Sequence, residues 1–348
     1  MQARAPAKAI LSGEHSVVYG MPALALALPL YANVSISPGT DPHKIELLLT
    51  DLDHRSLVDP FLLLSFQSRC EQRYQAYLAA DLAVEAILPG PADLYHFCLS
   101  LWPEAAALSG LRIELSSSIA IGSGMGSSAA TVVALLSALA AQAGRCLSAE
   151  QLIELSTRCE RLQHGRSSGL DPAICVRGGL VQFHQGRVEV LPTQLDAHWY
   201  RVDSGRPQAT TGSCTSWVRQ RFAEASIWSE FGAVTRQLAV ALQRQDEDLI
   251  LSSLRQNHRL LCRIGVVPVA VQQFIKTVEQ RGGAAKISGA GAISGDQGGM
   301  LLVYAPDTPE ILGNFDTRLF GAGSGSGSEY EYPWQPLEID THGAQRRD

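Results

Sequence analysis

The pattern of apolar and polar positions along this chain predicts strands and helices in an α/β order. Short apolar runs at Ala9–Leu11 and Ala32–Ser37 predict two strands, and Leu111–Leu115 alternates with the period of a third. Apolar residues at helical spacing predict helices over Phe61–Ile87 and Pro91–Ser109. We therefore expect the first part of the chain to form a sheet covered by helices.

The middle of the chain carries clearer signals for where elements begin and end. Ser148 and Gln151 form a capping box that predicts a helix running to His164. The segment LVQFHQGRVEVLP predicts a hairpin. A boundary near residue 200 divides the chain into an expected N-terminal domain over 1–200 and a C-terminal domain over 201–348.

Helical patterning dominates from Thr215 to Gln280 in the second half of the chain. Breaks in this pattern are expected near three residues, which are Gly232, Gln245 and Gly265. Ala284–Ser288 and Met300–Tyr304 then predict paired strands around a glycine-rich loop. The segment GAGSGSGS at Gly321–Ser328 has the composition of a flexible linker and is expected to form a disordered turn.

Length and composition limit the class of protein. A chain of 348 residues, 46% hydrophobic and 18% charged, suits two domains of an ordinary globular protein. Its net charge of −6 gives no basic face for nucleic acid or an anionic membrane. The sequence shows neither a signal peptide nor a membrane span, so a cytoplasmic protein is expected. Seven scattered cysteines without CxxC spacing indicate reduced thiols and no zinc site.

The segment IGSGMGSSAA is the clearest candidate for ligand binding. Its glycines, Gly122, Gly124 and Gly126, stand in alternate positions before a helix that starts at Ser127 or Ser128. Such glycines let backbone N–H groups converge into a nest, and the positive end of the helix faces it, which suits phosphate. The P-loop lysine and the dinucleotide pattern are absent, so a bound nucleotide needs a cation from elsewhere. A buried helix start without a ligand is the alternative.

Two further segments carry candidate chemistry. In APAKAILSGEHSVVYG, Lys8 stands at the start of a strand, and Glu14 and His15 share the next turn. In ERLQHGRSSGLD, Glu160 lies near a helix end, and a loop leads on to Asp171. A solvated lysine, a packed histidine and an aspartate N-cap before proline are the ordinary alternatives. Beside a phosphate nest, however, two carboxylates suggest one metal ligand and one proton acceptor for phosphoryl transfer.

Three segments in order, APAKAILSGEHSVVYG, IGSGMGSSAA and KISGAG with a later GG, resemble the three signatures of the GHMP kinases. The first is most similar to the mevalonate kinases of that superfamily. This resemblance implies phosphorylation of the C5 hydroxyl of mevalonate to 5-phosphomevalonate, with ATP and Mg²⁺, in isoprenoid biosynthesis. Another kinase of this fold, acting on phosphomevalonate or a sugar, and a non-catalytic ligand sensor remain as alternatives.

The resemblance also implies a fold and a set of site residues. The fold is a two-domain α/β and α+β structure, with a left-handed βαβ crossover in the N-terminal domain and a ferredoxin-like C-terminal domain. Lys8 is implied to stabilise charge on the reacting groups, and Asp171 to accept the hydroxyl proton. Ser128 and Glu160 are the implied magnesium ligands. The implied ATP surround consists of Ser117, Gly122, Ser123, Gly124, Met125, Gly126, Ser127 and Ser128.

Substrate contacts and the third signature complete these expectations. Glu14, His15 and Thr210 stand at positions implied to lie near mevalonate. The third signature departs from the usual run of glycines, because AISGDQ follows the first GAG and brings in Asp296. We expect this insertion to bulge away from the nucleotide. No nucleic-acid or membrane partner is expected, and the chain is a candidate homodimer.

Overall fold

The computed structural model describes residues 1–102, 105–120, 122–192, 194–308, 311 and 334–347. Its strands are β1 (Gln2–Ser12), β2 (Ala23–Pro38), β3 (Ile45–Leu49), β4 (His54–Val58), β5 (Leu111–Ser117), β6 (Leu180–His184), β7 (Arg187–Leu191), β8 (Trp199–Asp203), β9 (Ala284–Ile287), β10 (Met300–Tyr304), β11 (Gln335–Pro336) and β12 (Gln345–Arg347). Its α-helices are α1 (Leu63–Leu78), α2 (Asp93–Ser100), α3 (Ser127–Gln142), α4 (Ala149–His164), α5 (Leu170–Arg177), α6 (Thr211–Phe222), α7 (Ile227–Arg244), α8 (Glu247–Arg263) and α9 (Val269–Gln280).

The first sheet has eight strands of mixed direction. Its main order is β12-β1-β2-β5-β3-β4, and β6 and β7 extend it beside the first part of β2. β3 and β5 run parallel, whereas β1 is antiparallel to both β2 and β12. The long β2 pairs with β6 over Ala23–Leu26 and with β5 over Ala32–Pro38. Strands from distant parts of the sequence therefore meet on β2.

Helix α3 is the central helix of this half of the molecule. Every residue from Ala129 to Ala140 is buried. A helix that is apolar on all sides must be covered on all sides. It packs against β1 and β2, and α4 and α5 also contact it. This packing fixes the start of α3, at Ser127, close to the first strand.

The second sheet is antiparallel and has the order β11-β8-β10-β9. Counted by appearance in the chain, its strands lie in the order 4-1-3-2, that of a ferredoxin-like fold. Helices α6 to α9 connect β8 to β9, and α8 and α9 pack against β9. The predicted ferredoxin-like part is therefore present.

Several predicted element ends need correction or confirmation. The capping box at Ser148 and the hairpin of β6 and β7 are confirmed. The predicted break at Gly232 is wrong, because this glycine lies inside α7. A Cβ there would stand 2.8 Å from Met21 Sδ, so close packing explains the glycine. Helix α1 ends at Leu78, well before Ile87, and Ala80 then takes a positive φ of 65°.

The domain boundary near residue 200 stays a prediction. Strand β8 spans that position, and β12 returns to pair with β1 in the first sheet. The predicted linker at Gly321–Ser328 lies outside the described residues. Among the helices that the structure describes, we find none with both the length and the apolar character needed to cross a bilayer.

Candidate active site

The glycine loop before α3 has the backbone geometry that its sequence suggests. Gly122, Gly124 and Gly126 have positive φ angles of 78°, 80° and 71°. A Cβ on Gly126 would lie 2.8 Å from Lys8 Cγ, so only glycine allows the loop to rest on that side chain. The loop therefore brings the start of α3 and the lysine of β1 together.

Lys8 is held at this point by both its backbone and its side chain. Register shifts on either side of it, at Pro6/Ala7 and Ile10/Ser12, interrupt the pairing of β1 with β2. Its N–H donates to the carbonyl of Met125 at 3.0 Å. Its Nζ lies 3.1 Å from Asp171 Oδ2. The Lys8 side chain is 4% exposed and that of Asp171 is 30% exposed.

Asp171 reaches the lysine from the first turn of α5. The alternative that it acts as the N-cap is wrong, because the N-cap of this helix is Gly169. Gly169 has a φ of 89°, which turns the chain so that Leu170 begins the helix. The Asp171 carboxylate is thus left free of a capping role and faces Lys8.

Next to this pair, Ser128, Glu160 and His164 form a polar cluster. Ser128 Oγ donates to Glu160 Oε2 at 3.2 Å and lies 3.3 Å from His164 Nε2. Glu160 is buried, and its Oε1 has no hydrogen-bond partner. Burial raises the pKa of Glu160 to about 8, and the Asp171 charge adds to this rise. Burial lowers the pKa of His164 to about 4, so its ring is neutral near pH 7.

A cleft of about 680 Å³ joins these groups. Glu160 supports the cleft through Ser128 but is not among its lining residues. Thr210 lines it and caps α6, since its hydroxyl accepts the N–H of Ser213 at 3.0 Å. Of the predicted site residues, those that line the cleft are Lys8, Ser117, Gly122, Ser123, Gly124, Met125, Gly126, Ser127, Ser128, Asp171 and Thr210.

Glu14 and His15 are not brought to the cleft. Glu14 is 1% exposed and forms an ion pair with Lys286 of β9, whose side chain is fully buried. Burial raises the pKa of Glu14 and lowers that of Lys286, and their mutual attraction opposes both shifts. His15 Nε2 lies 3.0 Å from the carbonyl of Ala290. Contact of Glu14 and His15 with a substrate stays a prediction.

Sequence reasoning missed Arg206, which supplies a cation on the cleft wall. Its Nε lies 3.2 Å from where a Cβ of Gly122 would stand, so the guanidinium lies against the glycine loop. The signal was an arginine four residues before Thr210, in the loop after β8. Two cationic side chains, Lys8 and Arg206, therefore lie beside a glycine loop that has no lysine of its own.

The third glycine-rich loop places its first glycines on the cleft and Asp296 outside the cleft lining. Gly289 and Gly291 line the cleft, whereas Asp296 is exposed and does not. A Cβ on Gly289 would stand 3.0 Å from the carbonyl oxygen of Gly124, so the two glycine loops touch. Within the insertion, Ser294, Gly295 and Asp296 are exposed, whereas Ala292 is buried, so the middle of the insertion turns its charge towards solvent.

Comparison with known proteins identifies the family. Residues 93–179 match the model of the GHMP kinases N terminal domain. The mevalonate kinase of Pyrococcus horikoshii is 32% identical over 317 residues, which cover 87% of this chain and 88% of that protein. This chain belongs to the mevalonate kinase family of GHMP kinases. It is therefore a phosphotransferase with ATP as donor and a hydroxyl group as acceptor.

Solved GHMP kinases confirm the predicted fold class. A crystal structure of mevalonate kinase has a TM-score of 0.69 at 19% identity and covers 90% of this chain and 94% of its own. The galactokinase of Lactococcus lactis, solved with galactose, also has a TM-score of 0.69, at 14% identity, covering 89% of this chain and 88% of its own. The fold is thus shared by kinases with different acceptors.

Proposed function

We propose that this enzyme transfers the γ-phosphoryl group of ATP to the C5 hydroxyl of mevalonate, giving 5-phosphomevalonate and ADP. The observation that most supports this proposal is the pairing of Lys8 with Asp171 on the wall of a cleft that also contains the glycine loop. The sequence relatives are named mevalonate kinases, and they match this chain over nearly their full length. This match supports mevalonate as the acceptor. We also propose a cytoplasmic location.

In this proposal Asp171 and Lys8 handle the acceptor hydroxyl. Its oxygen attacks the γ-phosphorus, the bond from that phosphorus to the bridging oxygen breaks, and ADP leaves. Asp171 Oδ2 accepts the hydroxyl proton, and Lys8 Nζ, 3.1 Å away, holds this carboxylate in place and offsets negative charge on the transferring group. Arg206 and the backbone N–H groups of the glycine loop position the phosphates.

Ser128 and Glu160 fit a magnesium ion as ligands. Glu160 Oε1 is buried without a partner, and a carboxylate in that position is costly unless a cation or proton joins it. Within the described part of the chain no cluster of three or more His, Cys, Asp or Glu residues suits a metal. Two protein oxygens agree with Mg²⁺, which keeps waters and phosphate oxygens as its other ligands. When bound, it neutralises charge on the β- and γ-phosphates.

A panel of acceptors tests this proposal. The purified enzyme with ATP and Mg²⁺ is given mevalonate, phosphomevalonate, galactose or homoserine, and ADP release is followed in a coupled assay. We expect turnover with mevalonate at a kcat/KM at least about a hundredfold above the others, because a site built for one acceptor's polar groups rejects those that leave them unpaired. Preference for another acceptor would overturn the proposed substrate. ATP binding without turnover on any acceptor would favour the ligand sensor.

A further inference from the structure

A second cavity lies beside the loop that carries Asp171. Its volume is about 350 Å³. His164 and Asp171 line the active-site cleft, whereas Arg166, Ser167 and Ser168, which stand between them in the chain, line the second cavity. A ligand in this cavity would therefore touch the same loop as the acceptor.

The lining of this cavity is positively charged. Arg161, in the last turn of α4, and Arg166 both contribute to it, and its described lining contains no Asp or Glu. Arg158, one turn earlier on α4, is paired with Glu71. In the part of the chain that the structure describes, neither Arg161 nor Arg166 has such a carboxylate partner. In a chain of net charge −6, two guanidinium groups that line one cavity, without a carboxylate partner among the described residues, favour an anionic ligand.

Neutral donors of the same cavity suit an anion as well. Ser167 Oγ accepts the N–H of Gly169, and Ser168 Oγ accepts the N–H of Leu170, both at 3.2 Å. A hydroxyl that accepts from the backbone keeps its own hydrogen for donation. Both serines can therefore donate to a ligand in the cavity while they hold the loop in shape.

The far wall of the cavity comes from the hairpin of β6 and β7. Gln185 at its tip has a φ of 49°, a left-handed conformation that a non-glycine residue seldom takes. Its Nε2 lies 3.6 Å from where a Cβ of Gly20 would stand, so the amide reaches across to the first signature. Apolar side chains of Val17, Val18 and Phe183 complete the wall. A small anion with a short apolar body suits this lining.

We propose that the second cavity is an anion-binding site for a small molecule with a carboxylate or phosphate group, held by Arg161 and Arg166. Two sources share this chemistry. One is the carboxylate end of the acceptor, and this source rests on the proposed function. The other is a separate phosphate-bearing molecule, which would act on the Asp171 loop without being phosphorylated.

Titration calorimetry distinguishes these sources. Mevalonate and inorganic pyrophosphate are titrated separately, with saturating ADP present so that the glycine loop is filled. The wild type is compared with the variant Arg161→Gln/Arg166→Gln, in which both exposed guanidinium groups are removed. The control is Arg244→Gln, because Arg244 is also exposed and also lies in the last turn of a helix, α7.

We expect the double variant to lose at least about tenfold in affinity for one of these anions, with the control unchanged. Loss for mevalonate alone assigns the cavity to the acceptor's carboxylate, and loss for pyrophosphate alone assigns it to a separate ligand. Loss for both also supports the site. Wild-type affinities for both anions in the double variant, or no binding of either to the wild type, would overturn it. If mevalonate fails as a substrate but pyrophosphate binding depends on the arginines, the site stands and the proposed function falls.

Discussion

Two lysine–carboxylate pairs join the first signature to distant parts of the chain, and they differ in their surroundings. Lys8 and Asp171 meet on the wall of the cleft, where Asp171 keeps 30% of its side chain exposed. Glu14 and Lys286 meet between the two sheets, where both side chains are almost completely buried. A carboxylate that reaches water can exchange a proton, whereas a buried ion pair holds together the two segments that carry it. We therefore expect a chemical role for the pair on the cleft and a structural role for the buried pair.

The neighbours of the buried pair support its architectural role. Lys286 Nζ also donates to the carbonyl of Ile10 at 3.1 Å, and the Ile10 N–H donates to Ser288 Oγ at 2.8 Å. Ser12 Oγ lies 2.7 Å from Thr235 Oγ1. These buried contacts join β1 to β9 and α7, just beyond Lys8.

The largest effect is expected for Lys286→Met. This change leaves the Glu14 carboxylate buried without a partner, which typically costs about 3–5 kcal/mol. Denaturant unfolding should show this loss. The double variant Glu14→Gln/Lys286→Met, which removes both charges, should recover most of it. A single variant as stable as the wild type would contradict the architectural role, and a stable but inactive double variant would assign Glu14 to the substrate.

The matched change at the cleft is Lys8→Met. It keeps the aliphatic stem and removes the ammonium group, so kcat should fall by roughly 10 to 10³ while ATP still binds. Its unfolding free energy should change far less than that of Lys286→Met. Steady-state kinetics and unfolding curves of the two variants measure the comparison directly. Wild-type turnover by Lys8→Met would remove the lysine from the mechanism.

The variant Asp171→Asn tests whether this side chain accepts the proton, because it changes the chemistry of the group but hardly its shape. The amide has nearly the same size but cannot take a proton, so kcat should fall by on the order of 10² or more. Thermal stability should fall much less than in Lys286→Met, because the amide oxygen can still accept a hydrogen bond from Lys8 Nζ. Activity assays and thermal melts of the same preparation provide the measurement. A well-folded variant with near-normal kcat would show that another group accepts the proton.

A smaller effect is expected for Glu160→Gln. An amide oxygen binds Mg²⁺ more weakly than a carboxylate, so the magnesium concentration for half-maximal activity should rise by on the order of tenfold. Glu46→Gln is a useful control, because Glu46 is also buried with an unpartnered oxygen but lies in β3. The assignment fails if the magnesium titration of Glu160→Gln overlays that of the wild type.

The smallest effect is expected for Asp296→Ala. This carboxylate is exposed and stands outside the cleft lining, so its charge is screened by water. The KM for ATP should change less than about threefold, below the tenfold that about 1.4 kcal/mol would give. A larger change would mean that the third loop closes over the nucleotide.

Local signals in the sequence predicted much of the fold. The capping box of α4, the glycines of the nest and the bounds of β10 all follow from residues close together in the chain. Lys286 was not found as the partner of Glu14, because the two are 272 positions apart and only the packing of β9 against β1 brings them together. The helix break predicted at Gly232 was wrong for the same reason, since its close neighbour Met21 lies in another part of the chain.

The pairing of β12 with β1 has a consequence for how this protein is made. Arg4 and its hydrogen-bond partner Gln345 are 341 positions apart, so a ribosome translates β12 long after β1 has emerged. Until then the outer edge of β1, the strand of Lys8, has open N–H and C=O groups that another chain can pair with. Contacts between residues so far apart in sequence also slow folding. During synthesis the first residues of the strand that carries the lysine are thus open to mispairing and aggregation until β12 is made.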